Sequence, residues 1–175
     1  PISDLGMDAA TLAKVKHIIS RDYGMILITG PVGSGKTTTL YSLMLELRDD
    51  ERVIMTIEDP VEFHLEWLRQ SELKPARGFG FTEAMRSILR QDPDIIVIGE
   101  IRDTYSAEVA VQAALTGHKV LSTFHTEDSI GGLVRLLHMN IAPFLVSSTV
   151  VSVLAQRLLH SLDGLVPALP VCQGQ

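Results

Sequence analysis

The sequence predicts an α/β domain in which a mainly parallel β-sheet is flanked by helices. Short apolar runs alternate with segments of helical composition, and the runs are rich in β-branched residues. Continuous rather than alternating hydrophobicity is typical of strands buried on both faces, as in a parallel sheet covered by helices. A glycine-rich loop also stands directly between the first such run and a helical segment, which is a recurrent strand–loop–helix arrangement in this fold class.

The expected elements follow from these patterns in chain order. Four strands are predicted from the apolar runs, over 25–29, 53–57, 95–98 and 120–123. Six helices are predicted around them, over 8–20, 35–49, 82–90, 104–116, 129–139 and 143–160. Thr82, followed by Glu83, is the expected N-cap of the third helix, and Gly117 is expected to end the fourth. Pro143 is expected to open the last helix, where its missing N–H costs nothing.

We expect the chain to hold one folded domain, over 8–162. Residues 1–7 are predicted to be a linker from an N-terminal domain outside this chain. Residues 163–175 contain two prolines and two glycines without usable periodicity, so we expect a poorly ordered tail.

Composition excludes several classes of protein. Hydrophobic residues make up 46% and charged residues 21%, as in an ordinary folded globule. The net charge of −6 and the lack of a basic stripe argue against a nucleic-acid partner. The single cysteine, Cys172, excludes an internal disulfide framework. The apolar stretch 141–156 is too short to span a bilayer, so no transmembrane segment and a cytosolic location are expected.

The most informative motif is a complete G-x-x-x-x-G-K-[ST] loop over 30–37. In such a loop backbone N–H groups turn inward on a phosphate, and the following helix N-terminus adds partial positive charge. Lys36 is expected to reach the β- and γ-phosphates, and the Thr37 hydroxyl to ligate Mg²⁺. A glycine-rich turn with a surface lysine is the weaker alternative. The expected nucleotide-binding residues are Gly30, Pro31, Val32, Gly33, Ser34, Gly35, Lys36, Thr37 and Thr38.

Each of the other predicted strands is also followed by polar residues that could act in catalysis. Glu58 and Asp59 follow the second strand, Glu100 follows the third, and His125 follows the fourth. Ligands bind at the carboxyl ends of parallel strands, so these groups are expected to share one catalytic site. We expect Glu100 to hold the metal and Glu58 to assist with water, while the reverse assignment stays open. Gly99 stands where an aspartate is common, so the metal-holding role falls on Glu100 or is shared with Glu58 and Asp59.

Histidine is the remaining candidate group. His125 is expected to contact the γ-phosphate and report its loss. His118 could do the same, or simply terminate the helix before it beside Gly117.

Together these motifs resemble the secretion ATPase superfamily, in particular the type II secretion and type IV pilus assembly ATPases. Four segments resemble the family's Walker A, aspartate box, atypical Walker B and histidine box, namely 30–41, 57–63, 86–103 and 116–126. The resemblance extends over about 5–162, with 155–158 similar to the family's closing helix. Within the superfamily, 112–118 and 141–145 resemble the assembly and secretion branch rather than the pilus retraction branch.

The resemblance implies a RecA-like P-loop NTPase fold, with ATP and Mg²⁺ as cofactors. It implies a homo-oligomer, a hexamer at full length, that is peripheral to the cytoplasmic side of the inner membrane. There ATP hydrolysis would move a membrane platform protein. Lys36, Glu58, Glu100 and His125 carry over as nucleotide-site residues, and Arg102 as an interface or charge-relay residue. The arginines that this family supplies from a preceding domain are expected to lie outside this chain, and Cys172 alone cannot make a tetrahedral zinc site.

Other functions compete with the leading hypothesis of a secretion or pilus-assembly motor. A nucleotide-gated binding module that hydrolyses ATP negligibly is compatible with Gly99. A retraction ATPase, or one that translocates nucleic acid, would share the motifs, although the net charge of −6 argues against binding to nucleic acid. A small-molecule kinase is the least favoured, because no lid or second substrate pocket is visible in the sequence.

Overall fold

The structure is a computed structural model that describes residues 1–159. Its centre is a six-stranded sheet with the order β3-β2-β4-β5-β1-β6, in which every neighbouring pair is parallel. The strands are β1 Gly24–Thr29, β2 Ile54–Glu58, β3 Arg69–Glu72, β4 Ile95–Ile98, β5 Lys119–Phe124 and β6 Val150–Ala155. The predicted fold class is therefore confirmed.

Six α-helices and two 3-10 helices connect the strands. The α-helices are α1 Ala9–Ile19, α2 Lys36–Leu47, α3 Phe81–Leu89, α4 Thr104–Leu115, α5 Ser129–His138 and α6 Pro143–Thr149. The 3-10 helices are Ile2–Leu5 and Pro75–Arg77. Within residues 1–159, no helix combines the length and apolarity that a bilayer span requires.

The helices bury both faces of the sheet. Alternate strand residues point to opposite faces, so Met25 and Leu27 of β1 enter one apolar cluster while Ile26 and Ile28 enter the other. The first cluster packs against α3, α4, α5 and α6, and the second against α1, α2 and the first 3-10 helix. This two-sided burial explains why the strands lack polar alternation.

The predicted last helix is wrong beyond Thr149. Its second half is β6, which pairs with β1 in parallel. The run Val150-Val151-Ser152-Val153 is β-branched at three of its four positions, which favours a strand over a helix. The expected closing helix over 155–158 is wrong for the same reason, because Ala155 is the last residue of β6 and 156–158 have no regular structure.

Strand β3 is absent from the sequence prediction. It reads Arg-Gln-Ser-Glu and lies at one edge of the sheet, where half of its surroundings are solvent. A polar four-residue edge strand carries no apolar signal, so hydrophobicity could not reveal it.

Helix ends match the prediction at some positions and differ at others. Gly117 follows α4 with φ of 99°, as expected for a glycine after a helix, and Pro143 opens α6. The N-cap of α3 is Gly80 rather than Thr82, because Glu83 turns back to accept a hydrogen bond from the Gly80 N–H at 3.0 Å.

The ends of the chain bear on the expected domain boundaries. The segment 1–7 contains the 3-10 helix Ile2–Leu5, whose Ile2 is only 1% exposed in the cluster beneath α2. The expected tail over 163–175, and the last three residues of the expected domain, lie outside the described residues.

Candidate nucleotide site

The carboxyl ends of the strands open into a cleft of about 770 Å³. The loop after β1, the ends of β2 and β4, and the residue after β5 all line it. Since β5 lies between β4 and β1 in the sheet, His125 lies between the glycine-rich loop and Glu100. The structure thus brings the four predicted strand ends to one place.

Two glycines give the loop after β1 its shape. Gly35 has φ of 85°, a left-handed conformation that side chains disfavour. A Cβ at Gly35 would also lie 2.8 Å from Gln156 Nε2, and one at Gly30 would lie 2.3 Å from Gln156 O. The loop can therefore follow this tight path only with glycine at both positions.

The loop presents hydrogen-bond donors that the described residues leave without acceptors. Helix α2 begins at Lys36, and its N-cap Gly35 offers no side-chain oxygen to the first-turn N–H groups. Ser34 Oγ is buried and has no hydrogen-bond partner in the part of the chain that the structure describes. Unpaired donors at a helix N-terminus fit a phosphate, which is the group that this loop is expected to hold.

Lys36 is folded back over the loop. Its Nζ donates to Gly30 O and to Pro31 O, both at 2.8 Å, and the residue is 7% exposed. Burial lowers the pKa of Lys36 below that of an ordinary lysine, and the charge of Glu100 partly offsets this effect. The ammonium group is thus held within the loop that is expected to receive a phosphate.

A chain of polar contacts runs from Lys36 to the end of β2. Lys36 Nζ lies 3.1 Å from His125 Nδ1, and His125 Nε2 lies 3.1 Å from Glu100 Oε1. Because an ammonium only donates, Nδ1 accepts and the ring proton sits on Nε2, facing the carboxylate. Arg102 then bonds Glu100 Oε2 at 2.9 Å and Asp59 Oδ2 at 2.7 Å. The chain links three of the four expected catalytic residues directly.

Glu58, the fourth, lies in the same cleft but in a separate hydrogen-bond network. Its carboxylate is 6% exposed and accepts from Thr56 Oγ1 at 2.6 Å, from Gln70 Nε2 at 3.1 Å and from the Tyr41 hydroxyl. Burial first, and then the bond to Glu58, raise the pKa of Tyr41, so its hydroxyl stays a donor. Three donors therefore fix Glu58 in one orientation.

The expected metal residues provide hard oxygen ligands. Thr37 Oγ1 lies 3.4 Å from Glu62 Oε1, and Thr37 and Glu100 line the same cleft. Residues 1–159 contain no group of three or more acidic, histidine or cysteine side chains that could hold a metal alone. Mg²⁺ typically takes one or two protein oxygens and completes its shell with water and substrate phosphates, so this donor set fits it.

Gly99 leaves room for the backbone of β2. A Cβ at this position would lie 3.3 Å from Ile57 O and 3.5 Å from Glu58 Cα. An aspartate here would crowd the strand that carries Glu58, which gives a physical reason for the absence of the common carboxylate.

Some site residues were missed by sequence reasoning, and one candidate lies elsewhere. Tyr41 ends the segment 30–41 that resembles Walker A, but neither Tyr41 nor Gln70 has a sequence signal that predicts its contact with Glu58. Gln156 contacts the loop after β1, and the signal for it was the uncharged β-branched run before it, which ends in a polar residue as the other strands do. His118 bonds Ala113 O at 3.1 Å at the end of α4 and lines a different cavity, at the amino ends of the strands.

Comparison with known proteins gives consistent matches. The family model described as "Type II/IV secretion system protein" matches residues 1–167. The type II secretion system ATPase E of Vibrio cholerae is 48% identical over 161 residues, which is 92% of this chain and 32% of the relative. The type IV pilus assembly ATPase PilB of Myxococcus xanthus is 54% identical over 92% of this chain and 28% of the relative.

A solved structure shows the same fold. The pilus retraction motor PilT with bound ADP has a TM-score of 0.78 and 34% identity, and the match covers 93% of this chain and 49% of that one. The chain spans about a third of the length of the curated relatives that it matches.

Proposed function

Because this chain belongs to the Type II/IV secretion system protein family, we propose that it is an Mg·ATP-hydrolysing motor domain that powers type II protein secretion or type IV pilus assembly. The observation that carries the proposal is the direct contact chain in which His125 joins Lys36 of the glycine-rich loop to Glu100 after β4. This arrangement places a phosphate-binding cation, a histidine and a carboxylate around one point, as phosphoryl transfer requires.

Nucleotide binding is assigned to the loop and the first turn of α2. The N–H groups over 33–38 and the unpartnered Ser34 hydroxyl would donate to the phosphates. Lys36 would leave the carbonyls of Gly30 and Pro31 and turn its ammonium to the terminal phosphates. Thr37 and Glu100 would hold Mg²⁺, which supplies positive charge against the β- and γ-phosphates when bound.

The two glutamates take different roles in hydrolysis. Glu100 has a quarter of its side chain exposed and contacts His125, so it would be available to the terminal phosphate and to a metal. Glu58 is buried and fixed by three donors, so it is suited to orient water rather than to move. His125, hydrogen-bonded to Lys36 and Glu100 alike, would exchange one of these partners for the γ-phosphate and register its loss.

Within residues 1–159, the cleft has no arginine that is free to stabilise the transition state. Arg102 is the only arginine of these residues that lines it, and both Glu100 and Asp59 engage its guanidinium. An arginine from another domain or another copy of the chain would supply the missing charge. A second copy of the chain is one source of this arginine, and we propose a homo-oligomer, a hexamer at full length, that acts on a platform protein from the cytoplasmic side of the inner membrane.

The proposal is tested by the substitution Lys36→Ala. We expect calorimetry to show Mg·ATP binding to the parent chain and none to the variant, because the ammonium that holds the terminal phosphates is gone. The matched control is Lys14→Ala, which removes an exposed lysine on α1 and should bind as the parent does. Binding without any phosphate release in a single-turnover assay that includes the full-length protein would instead favour a nucleotide-gated binding module.

A further inference from the structure

Gln156 connects the edge strand β6 to the glycine-rich loop. Its backbone N–H donates to Thr29 O at 2.8 Å, which extends the pairing of β6 with β1 by one residue. Its side chain is then directed under the loop and is 6% exposed. Gln156 is thus a buried amide at the point where strand and loop meet.

Both ends of the amide are hydrogen-bonded, each to a different element. Gln156 Nε2 donates to Ser34 O at 2.7 Å, and Gln156 Oε1 accepts from Thr39 Oγ1 at 2.6 Å. Ser34 and Thr39 flank the turn over 35–38, which carries the lysine and the first N–H groups of α2. One side chain therefore spans the phosphate-binding turn and fixes the distance between its two ends.

The glycines of the loop are packed against the same residue. Added Cβ atoms at Gly30 and Gly35 would meet Gln156 O at 2.3 Å and Gln156 Nε2 at 2.8 Å. The loop thus packs closely on Gln156 at both glycines. Gln156 engages Ser34 at its backbone carbonyl, while the Ser34 hydroxyl is buried and has no partner within the described chain.

We propose that Gln156 is a positioning residue that fixes the glycine-rich loop in its nucleotide-binding shape, and that strand β6 thereby controls nucleotide affinity. The inference rests on the proposed function for its ligand, although the shape of the loop is a property of the free chain. Its effect is on binding: nucleotide affinity should change more than the rate of the chemical step, since Gln156 touches neither Glu100 nor His125.

The first test is Gln156→Met, which keeps an unbranched side chain of similar size and removes both hydrogen bonds. We expect the Kd of Mg·ADP, measured by calorimetry, to rise about tenfold, the change expected when two buried bonds are lost from a pre-formed site. In the free protein, hydrogen exchange over 33–38 should quicken while exchange in β4 stays the same. The control is Ser152→Ala, a buried polar residue of β6 outside the loop contacts.

A pair of substitutions on the other side of the contact tests the same idea independently. Thr39→Val removes the hydroxyl that donates to Gln156 Oε1, whereas Thr39→Ser keeps it. We expect Thr39→Val to raise the Kd of Mg·ADP severalfold and Thr39→Ser to restore the parent value. If Gln156→Met does not fold, the comparison of Thr39→Val with Thr39→Ser tests the positioning role of Gln156 instead.

The outcomes separate the two proposals. Parent-like Kd and parent-like exchange in both Gln156→Met and Thr39→Val would overturn the positioning role of Gln156. A parent chain that binds no Mg·ADP would overturn the proposed function instead. In that case hydrogen exchange over 33–38 in the free protein would still confirm or contradict the role of Gln156.

Discussion

At the residue scale, the candidate site is held in its observed state by contacts among the residues that we propose to be catalytic. Lys36 is bound to two carbonyls of its own loop and to His125, and Glu100 is bound to His125 and Arg102. A nucleotide must therefore replace internal hydrogen bonds when it binds. Because these groups already lie next to one another, nucleotide binding would exchange their hydrogen-bond partners without bringing distant groups together.

The substitution Glu100→Gln tests the role of this carboxylate. It keeps the size of the side chain and its contact with His125, so Mg·ATP should bind with a Kd near that of the parent. Turnover should fall by about 10²- to 10⁴-fold, because a charged group that aids proton transfer or holds metal has been neutralised. Steady-state phosphate release measures this effect. The exposed Glu108 of α4 gives the matched control Glu108→Gln, and parent-like turnover in Glu100→Gln would refute the assignment.

A second prediction concerns how stability depends on pH, and it rests on a buried lysine far from the site. Lys119 is 2% exposed with its Nζ bonded to Ile19 O at 2.7 Å, and burial together with nearby Arg52 lowers its pKa. Between this lowered pKa and 10.5 the unfolded chain binds more protons than the folded one, so the contribution of Lys119 to stability rises with pH. Below that window the folded state bears the full cost of a buried charge.

The measurement is urea unfolding of the parent and of Lys119→Met at pH 7 and pH 9.5. The free energy of unfolding of the parent, relative to that of Lys119→Met, should be larger at pH 9.5 than at pH 7. Lys14→Met, at an exposed site, should leave the difference independent of pH. A constant gap for Lys119→Met would show that burial does not shift this pKa.

At the element scale, the shape of the glycine-rich loop makes a prediction with a close control. Gly35 and Gly78 have φ values of 85° and 76°, so alanine should cost each about 1–2 kcal/mol of backbone strain. Only Gly35 also has a neighbour in the way, Gln156 Nε2 at 2.8 Å, whereas nothing lies within 4 Å of a Cβ at Gly78. Gly35→Ala should therefore abolish Mg·ADP binding in calorimetry.

Gly78→Ala should bind Mg·ADP as the parent does, with a similar loss of thermal stability. If both variants bind normally, the loop tolerates a side chain at Gly35 and its tight path is not required for binding. If both fail to bind, strain alone rather than crowding by Gln156 accounts for the loss.

The elements that could be predicted from sequence are those whose burial shows in their composition. The four central strands are buried on both faces and contain apolar runs, and the polar residues that follow these runs predict where the strands end. β3 has no such signal, because an edge strand with one solvated side can be entirely polar. β6 was taken as the end of a helix, because Pro143 correctly marked a helix start and no turn residue marked its end at Thr149.

The residues of the candidate site also fall into those that the sequence predicts and those that it does not. Lys36, Thr37, Glu100 and His125 stand in motifs or directly after apolar strands, so position along the chain was enough to place them together. Tyr41, Gln70 and Gln156 act through contacts between residues 12 to 122 positions apart, as in Gln70 to Glu58 and Gln156 to Ser34. Such contacts depend on strand order, which a single sequence does not reveal.

At the scale of the whole molecule, the lack of an unpaired arginine in the cleft within residues 1–159 predicts slow hydrolysis by this chain alone. Transition-state arginines are worth about 10³–10⁵ in rate, and Arg102 is already paired with two carboxylates. Turnover per chain should be low when dilute and should rise with protein concentration if copies complete one another's sites. Phosphate release measured across a concentration series checks this, and fast hydrolysis at every dilution would contradict it.

The two margins of the sheet differ in a way that matters when the protein is handled. One margin, β3, carries Arg69 and Glu72, and charge of this kind discourages strands of other molecules from adding on. The other, β6, is Val-Val-Ser-Val-Leu-Ala without a single charge, and in residues 1–159 it pairs with β1 alone. Within the described residues its outer row of amides has no strand partner, and such an edge favours self-association, so precipitation on warming should begin there.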